Sequence, residues 1–278
     1  MKKNLKVYYA KVPNMGDILN KNIIEKIWGY NVVRKTYLTG VISGIGSGLG
    51  NYTYEDNLLK NILKFIFGKF HTKTYIWGTG FVKYKDKDTK FWNKNLQFCA
   101  VRGILSKERI EKIIGKKIDI PTGDAGILAS YLLDEMPEKK YSVGIIAHYK
   151  EKNEPIFEKL KKQFDNSVFI DVQDTPLNVT RKIAECETII SSSLHGLIIA
   201  DSLNVPNVHI VVTDNLLGDG FKFDDYYSAY GLEHHYININ KDKIHNLEDI
   251  KNNYKITAEM VEQKKKSMIE SFPFSKVK

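Results

Sequence analysis

The sequence predicts an α/β protein with two Rossmann-like, doubly wound halves, and three observations support that fold class. Strand patterns alternate with helical patterns along almost the whole chain, which is typical of parallel sheets covered by helices. The length of 278 residues is sufficient for two domains. A proline and a charge cluster interrupt the alternation at residues 133–140, after which it starts again. We therefore expect domains at residues 1–138 and 139–278.

In the first half, an apolar run at residues 5–10 predicts a buried strand. Residues 16–28 follow as a helix, because leucines and isoleucines recur there every three or four positions. Further strands are expected at residues 41–45, 74–77 and 96–101, with a helix at 106–114.

The second half shows the same alternation of predicted strands and helices. Strands are expected at residues 141–147, 168–172, 188–191 and 208–212, and helices at 154–164, 176–186 and 194–203. Pro176 suits the first position of its helix. A last helix, at residues 258–271, fits either half.

The composition excludes several classes of protein. The 42 basic and 33 acidic residues give a formal net charge of +9, which favours acidic ligands or surfaces. Cys99 and Cys186 lack metal-ligand spacing and are expected to be buried thiols. His234 and His235 have no HExxH-like companions, so no metal site is predicted. No nucleic-acid-binding motif is present. Without a signal-peptide pattern or an apolar run of roughly 18 residues, the protein is expected to be cytosolic.

The turns after the strands are where chemistry is expected, because open parallel sheets bind ligands beyond the carboxyl ends of their strands. In the first turn, Asn14, Gly16 and Asp17 fit either capping of the next helix or binding of a sugar. The glycine-rich turns at residues 44–48 and 78–80 fit either tight turns or backbone that approaches a phosphate or sugar. Neither turn is a dinucleotide-binding fingerprint.

Three further side chains extend this set of candidates. Arg102 directly follows a strand, where its guanidinium fits either a bidentate contact to an anion or a surface salt bridge. Lys222 lies in a predicted loop and could neutralise an anion, although most lysines are simply solvated. His148 also follows a strand and is a candidate on that ground.

The most informative segment runs from Ser191 to Gly196. A strand ends in three serines and a helix begins, so hydroxyl groups and first-turn amides are expected to form an anion site. His195 lies in that first turn, where the helix dipole disfavours the imidazolium. A bound dianion would oppose this effect and favour protonation. His195 is therefore the predicted proton donor.

Together these segments resemble the polysaccharide pyruvyl transferase family, in order, from Asn14 to about Leu232. The motifs that carry the resemblance are Asn14-Met-Gly-Asp17, residues 44–48, Gly78-Thr-Gly80, Val101-Arg102 with Ser106, Gly123-Asp124, Ile146-Ala-His148, Ser192-Ser-Leu-His195-Gly196 and Lys222. Ser193 stands where many members of the family carry arginine, so one cation fewer is expected at the donor site.

The resemblance implies a GT-B-like fold, with two Rossmann-like domains facing a cleft, and a reaction without a cofactor. Phosphoenolpyruvate would be the donor. A sugar diol of a bacterial surface polysaccharide or its precursor, free or lipid-linked, would be the acceptor, and the products would be a pyruvate ketal and phosphate. Arg102, His195 and Lys222 would surround the donor as catalytic residues, and Asp17 and His148 are candidates for the base. The expected substrate-binding residues are Asn14, Gly16, Asp17, Gly46, Gly78, Thr79, Gly80, His148, Ser192, Ser193, Leu194 and Gly196.

Two other functions stay open at the level of sequence. One is a glycosyltransferase of the same fold that uses a nucleotide sugar. The other is a module that binds a polyanion or a membrane without catalysis. Residues 57–73 mix large apolar side chains with lysines, which fits a helix lying on the inner face of an anionic membrane. The same pattern fits a helix whose apolar face packs on the core, and this second interpretation is favoured because such helices are common.

Overall fold

The computed structural model describes residues 2–11, 14–54, 57–70, 73–84, 90–213 and 219–277. The first half contains strands β1 (Asn4–Tyr8), β2 (Asn31–Lys35), β3 (Ile42–Ser43), β4 (Thr74–Trp77) and β5 (Leu96–Ala100), and helices α1 (Met15–Trp28), α2 (Leu58–Phe70) and α3 (Ile104–Ile114). The second half contains strands β6 (Tyr141–Ala147), β7 (Ser167–Asp171), β8 (Cys186–Ser191), β9 (Asn207–Val211) and β10 (Tyr236–Asn238). Its helices are α4 (Pro155–Gln163), α5 (Pro176–Ala184), α6 (Leu194–Ser202), α7 (Phe221–Ser228), α8 (Glu248–Asn253) and α9 (Ala258–Glu270).

The two halves form two five-stranded sheets in which all pairs of neighbouring strands are parallel. The first sheet has the order β2-β1-β3-β4-β5 and the second the order β10-β9-β8-β6-β7. Numbered from its own first strand, the second sheet therefore repeats the order of the first. In a doubly wound sheet of this order, ligands bind where the winding reverses, between the first and third strands. The topology thus points to the carboxyl ends of β1 and β3, and of β6 and β8.

Strand β6 shows that the second sheet is buried on both faces. Val143 and Ile145 belong to an apolar cluster with Phe157 of α4, whereas Ile146 belongs to a larger cluster that also contains Leu19 of α1. Successive side chains of a strand point to opposite faces, so helices and loops cover both sides of this sheet. The larger cluster joins residues of both halves into one core.

The C-terminal segment returns to the first half of the chain, which the sequence left undecided. The Nε1 of Trp77 donates a hydrogen bond to the carbonyl oxygen of Met268 in α9, at 3.0 Å. Phe272 stacks on Trp28 with their ring centroids 3.9 Å apart. The domain boundary near residue 138 stays a prediction, and the segment around α9 crosses it.

Several elements differ from the sequence-based expectations. Strands β2 and β10 were not predicted, because β2 carries only two apolar residues and β10 is three residues long. Lys222 was placed in a loop but lies in the first turn of α7, which begins after Gly220 in a left-handed conformation (φ 89°). Cys99 is half-buried rather than buried, whereas Cys186 is buried as predicted.

In the described part of the chain, none of the helices combines the length and apolar character needed to cross a membrane.

Candidate active site

A cavity of about 250 Å³ lies at the carboxyl ends of both sheets, at the two positions that the strand order indicates. Its wall in the first half consists of residues from the ends of β1, β3 and β4 and from the start of α1. The second half contributes residues after β6, the start of α6 and Lys222 of α7. One ligand in this cavity can therefore contact both halves of the chain.

The start of α6 is held by the two serines that precede its capping residue. The Oγ of Ser191 accepts a hydrogen bond from the backbone N–H of Ser193 at 3.0 Å and donates one to the Ser193 carbonyl oxygen at 2.9 Å. The Oγ of Ser192 accepts from the backbone N–H of His148 at 2.9 Å, which joins α6 to the end of β6. Ser193, Leu194 and His195 line the cavity. The first turn of α6 thus begins at the cavity, and the N-terminus of a helix favours anions.

His195 is buried against the first half of the chain. A Cβ atom on Gly16 would overlap its imidazole ring, so only glycine fits at that position of α1. Its Nε2 is buried and has no hydrogen-bond partner among the described residues. Burial, followed by the charges of Lys222 and Arg102, lowers the pKa of His195 to about 3. Without a ligand His195 is therefore neutral at pH 7, with one ring nitrogen unsatisfied.

Burial, and then mutual repulsion, lowers the pKa values of Lys222 and His148 in the cavity wall. Burial, then the nearby Arg102, lowers the pKa of Lys222 to about 8, and Glu151 opposes this shift. Burial, then Lys222, lowers the pKa of His148 to about 4. An anion placed among these groups would reverse the shifts that arise from their mutual repulsion. The site is therefore suited to an anionic ligand.

Arg102 lies behind the cavity wall rather than in it. Its side chain is fully buried, and its Nε donates a hydrogen bond to the Oδ2 of Asp225 at 2.9 Å. Its Nη2 donates to the carbonyl oxygen of Phe81, and its Nη1 donates to the Oγ of Ser47 at 2.9 Å. Ser47 lines the cavity, so Arg102 reaches it through that hydroxyl and through its charge.

The two glycine-rich turns are bonded to each other through Thr79. The Oγ1 of Thr79 accepts a hydrogen bond from the backbone N–H of Gly48 at 3.0 Å and donates one to the carbonyl oxygen of Gly46 at 2.9 Å. Gly46 and Gly78 have φ angles of 113° and 80°, which favour glycine. Gly46 and Thr79 line the cavity. Gly80 lies behind it, where a Cβ would come within 2.6 Å of the Arg102 guanidinium.

Asn20 is a structural residue of the site that the sequence did not reveal. It is fully buried, its Oδ1 accepts from the backbone N–H of Ile45 at 2.8 Å, and its Nδ2 donates to the carbonyl oxygens of Ile45 and Asp17 at 3.1 Å. Asn20 thus fixes α1 to the first glycine-rich turn. A Cβ atom on Gly44 in that turn would overlap the Oδ1 of Asn20, so the contact requires glycine there. The available signal was an asparagine next to Leu19 on the apolar face of α1.

Asn14 and Asp17 both line the cavity. The Oδ1 of Asn14 accepts a hydrogen bond from the backbone N–H of Gly16 at 3.2 Å, so its predicted capping role is confirmed. Asp17 is the only carboxylate among the described residues of the cavity wall. Burial raises its pKa to about 6, and a backbone hydrogen bond at Ala10 and the charge of Arg34 oppose that shift. Asp17 is therefore largely ionised at pH 7 and can accept a proton.

The structure brings most of the predicted site residues together. Those that line the cavity are Asn14, Asp17, Gly46, Thr79, His148, Ser193, Leu194, His195 and Lys222. Those that support the wall from behind are Gly16, Gly78, Gly80, Arg102, Ser192 and Gly196. The polar wall residues that sequence reasoning missed are Tyr8, Tyr9, Ser43, Ser47, Asn51 and Tyr149. Their signal was weak, because hydroxyl and amide side chains are common at strand ends and in turns.

Comparison with known proteins identifies the family of the chain. A family model described as polysaccharide pyruvyl transferase matches residues 14–215. The chain belongs to this family. The matched region includes Asn14, Asp17 and His195, whereas Lys222 lies beyond it and joins the site through the position of α7.

The chain is similar to a viral protein and aligns weakly with two solved structures. An uncharacterized protein of Acanthamoeba polyphaga mimivirus is 30% identical over 231 residues, which cover 81% of this chain and 74% of that protein. The crystal structure of a functionally uncharacterized protein from Klebsiella pneumoniae aligns with a TM-score of 0.44 and 15% identity, covering 82% of this chain and 88% of the other. The Escherichia coli heptosyltransferase WaaC aligns with a TM-score of 0.30 and 11% identity, covering 78% of this chain and 91% of that enzyme.

Proposed function

We propose that this protein transfers pyruvate from phosphoenolpyruvate to a sugar diol of a surface polysaccharide or its precursor, forming a ketal and releasing phosphate. Its two halves act as the two domains of a GT-B-like enzyme, with the cavity as their cleft. The observation that carries the proposal is His195, which lines the cavity with a buried, unpartnered Nε2 in the first turn of α6. Membership in the polysaccharide pyruvyl transferase family supports the same reaction.

The donor brings a carboxylate and a phosphate, and the cavity offers partners for both. The amides of the first turn of α6 and the ammonium of Lys222 provide donors and positive charge. Ser47 also lines the cavity, and its hydroxyl oxygen accepts a hydrogen bond from the Nη1 of Arg102, which lies behind the wall. Although Ser193 stands where many relatives carry arginine, Lys222 and Arg102 keep positive charge near the site.

Binding of the donor prepares His195 for proton transfer. The added negative charge raises the pKa of the imidazole from its ligand-free value of about 3, so that the ring takes up a proton. His195 then donates this proton to the methylene carbon of phosphoenolpyruvate, and the central carbon gains cationic character. General acid catalysis of this kind contributes about 10²–10⁴-fold to a rate.

The acceptor then supplies two hydroxyl groups. The first attacks the central carbon and gives its proton to Asp17, whose carboxylate lines the same cavity. The second displaces phosphate from that carbon, closes the ketal ring, and its proton leaves with the phosphate. Asn14, Asn51 and the tyrosines of the wall offer the hydrogen-bonding and aromatic surfaces that sugars bind.

Calorimetric titration tests the choice of donor. We expect the protein to bind phosphoenolpyruvate, and the Lys222→Met variant to bind it about tenfold or more weakly, since a charge-assisted hydrogen bond is lost. Lys241→Met is the matched control because Lys241 is exposed and outside the cavity, and it should bind like the unaltered protein. Binding of uridine diphosphate glucose without binding of phosphoenolpyruvate would contradict the proposal and indicate a glycosyltransferase.

A further inference from the structure

Helix α2 presents its apolar side chains to the outside of the protein. The following large apolar side chains of this helix are 45–75% exposed: Leu58, Leu59, Ile62, Leu63, Phe65, Ile66 and Phe67. Scattered exposed apolar residues are normal, but a continuous apolar surface on one helix marks an interaction site.

The face of α2 that packs on the protein is polar or small. Lys64 is only 2% exposed, and its Nζ donates a hydrogen bond to the carbonyl oxygen of Thr53 at 2.9 Å. One turn later, a Cβ on Gly68 would come within 2.6 Å of the carbonyl oxygen of Trp92. The favoured expectation, that the apolar face of residues 57–73 packs on the core, is therefore wrong. Residues 71 and 72 of that predicted helix lie outside the described residues.

A cluster of aromatic rings lies beneath α2 and contacts its buried lysine. Tyr37, Tyr52 and Trp92 pack against each other there, with Tyr52 stacked on Trp92 at a centroid distance of 6.1 Å. These rings belong to the apolar cluster of that side of the first sheet. Lys64 lies 6.0 Å from the centroid of the Tyr37 ring, where a buried ammonium is stabilised by the ring face.

The surroundings of α2 are strongly cationic. Residues 57–100 contain nine lysines and two aspartates, so this stretch accounts for most of the net charge of +9. Lys73, Lys90 and Lys94 are exposed. The segment that carries Lys90 and Lys94 lies beside the helix, because Gly68 packs on Trp92.

We propose that α2 binds the surface of an anionic membrane, with its apolar side chains at the acyl boundary and the lysines on the lipid phosphates. A helix with exposed leucine and phenylalanine beside lysines has the composition of interfacial helices. Pairing of α2 with a second copy of the chain would bring two lysine-rich surfaces together, which is unfavourable. An anionic bilayer satisfies both the apolar and the charged groups.

This surface is connected to the cavity by a short stretch of chain. Thr53, which accepts the hydrogen bond from Lys64, follows Asn51 by two residues, and Asn51 lines the cavity. The Nδ2 of Asn51 donates to the hydroxyl of Tyr8 in the same wall, at 2.8 Å. A membrane-bound α2 would thus hold the cavity near lipid headgroups. The inference does not depend on the proposed reaction.

Vesicle sedimentation with the purified full chain tests the proposal. We expect binding to vesicles of phosphatidylcholine mixed with phosphatidylglycerol, and little binding to phosphatidylcholine alone. The double variant Leu59→Ser/Leu63→Ser should bind the anionic vesicles at least tenfold more weakly, and Lys90→Glu/Lys94→Glu should lose about 25-fold or more, since each lysine contributes about fivefold. Met136→Ser/Leu177→Ser alters two exposed apolar residues outside α2 and should bind like the unaltered protein.

Two results would overturn the proposal. One is unchanged vesicle binding in both α2-region variants while thermal unfolding shows that all variants fold. The other is a dimer that Leu59→Ser/Leu63→Ser converts to a monomer, with no vesicle binding by either form, which would make α2 an interface between copies of the chain.

Discussion

Replacement of His195 by alanine is expected to lower kcat by about 10²–10⁴-fold while the protein still folds. The imidazole is the only group of the first turn of α6 that can donate a proton to carbon, and its Nε2 has no hydrogen-bond partner among the described residues. Its removal therefore breaks none of the identified hydrogen bonds at that atom. Turnover is measured as phosphate released from phosphoenolpyruvate in the presence of a sugar acceptor.

His235→Ala is the control for this experiment. His235 is an exposed histidine that does not line the cavity, so its removal should leave turnover unchanged. Thermal unfolding of both variants separates a chemical effect from misfolding. Full turnover by a folded His195→Ala variant would exclude His195 as the acid.

The second large effect is expected for stability. Replacement of Asp225 by alanine should lower the free energy of unfolding by about 3–5 kcal/mol, because it leaves the guanidinium of Arg102 buried without its counter-ion. Asp225 also accepts hydrogen bonds at 2.7 Å from the backbone N–H and the Oγ of Ser106. The substitution therefore breaks a buried network that joins α7 to α3.

Denaturant unfolding measures this loss, and the surface pair Lys26–Asp134 provides the control. The Nζ of Lys26 lies 2.6 Å from the Oδ1 of Asp134, but the aspartate side chain is 86% exposed. Asp134→Ala should consequently change the free energy of unfolding little. A loss in Asp225→Ala no larger than the loss in Asp134→Ala would show that the buried pair does not stabilise the fold.

The sequence predicted strands such as β6 well, because residues 143–147 form a continuous run that is buried on both faces of the sheet. Strand β6 was predicted with its observed bounds, and α1 and α6 within one residue at each end. The position of the cavity also followed from the sequence, since parallel strands place their carboxyl ends at one edge of the sheet. His195 and Asp17 could therefore be assigned to one site before the contacts between the halves were known.

The remaining features depend on tertiary contacts that local patterns do not encode. Arg102 was expected in the cavity, but it lies behind the cavity wall because it is paired with Asp225. Asp225 is 123 positions away in the sequence, on a helix that was predicted as a loop. Lys64 is buried on the protein side of α2, where its Nζ donates to the carbonyl oxygen of Thr53 and lies 6.0 Å from the centroid of the Tyr37 ring. Gly16 was predicted to bind substrate, and the structure shows a further role, since its lack of a side chain makes room for the His195 ring.

The central claim is that an anionic donor charges His195, and the proton uptake that accompanies phosphoenolpyruvate binding tests it most directly. Calorimetric titration at pH 7 in buffers of different ionisation enthalpy gives the number of protons bound. Because binding must raise the pKa of His195 from about 3 to above the working pH for the ring to be charged in the complex, the protein should take up about one proton more than the His195→Ala variant, and its affinity should increase as the pH falls below the raised pKa. Equal proton uptake by both proteins would show that His195 stays neutral in the complex and would contradict the account.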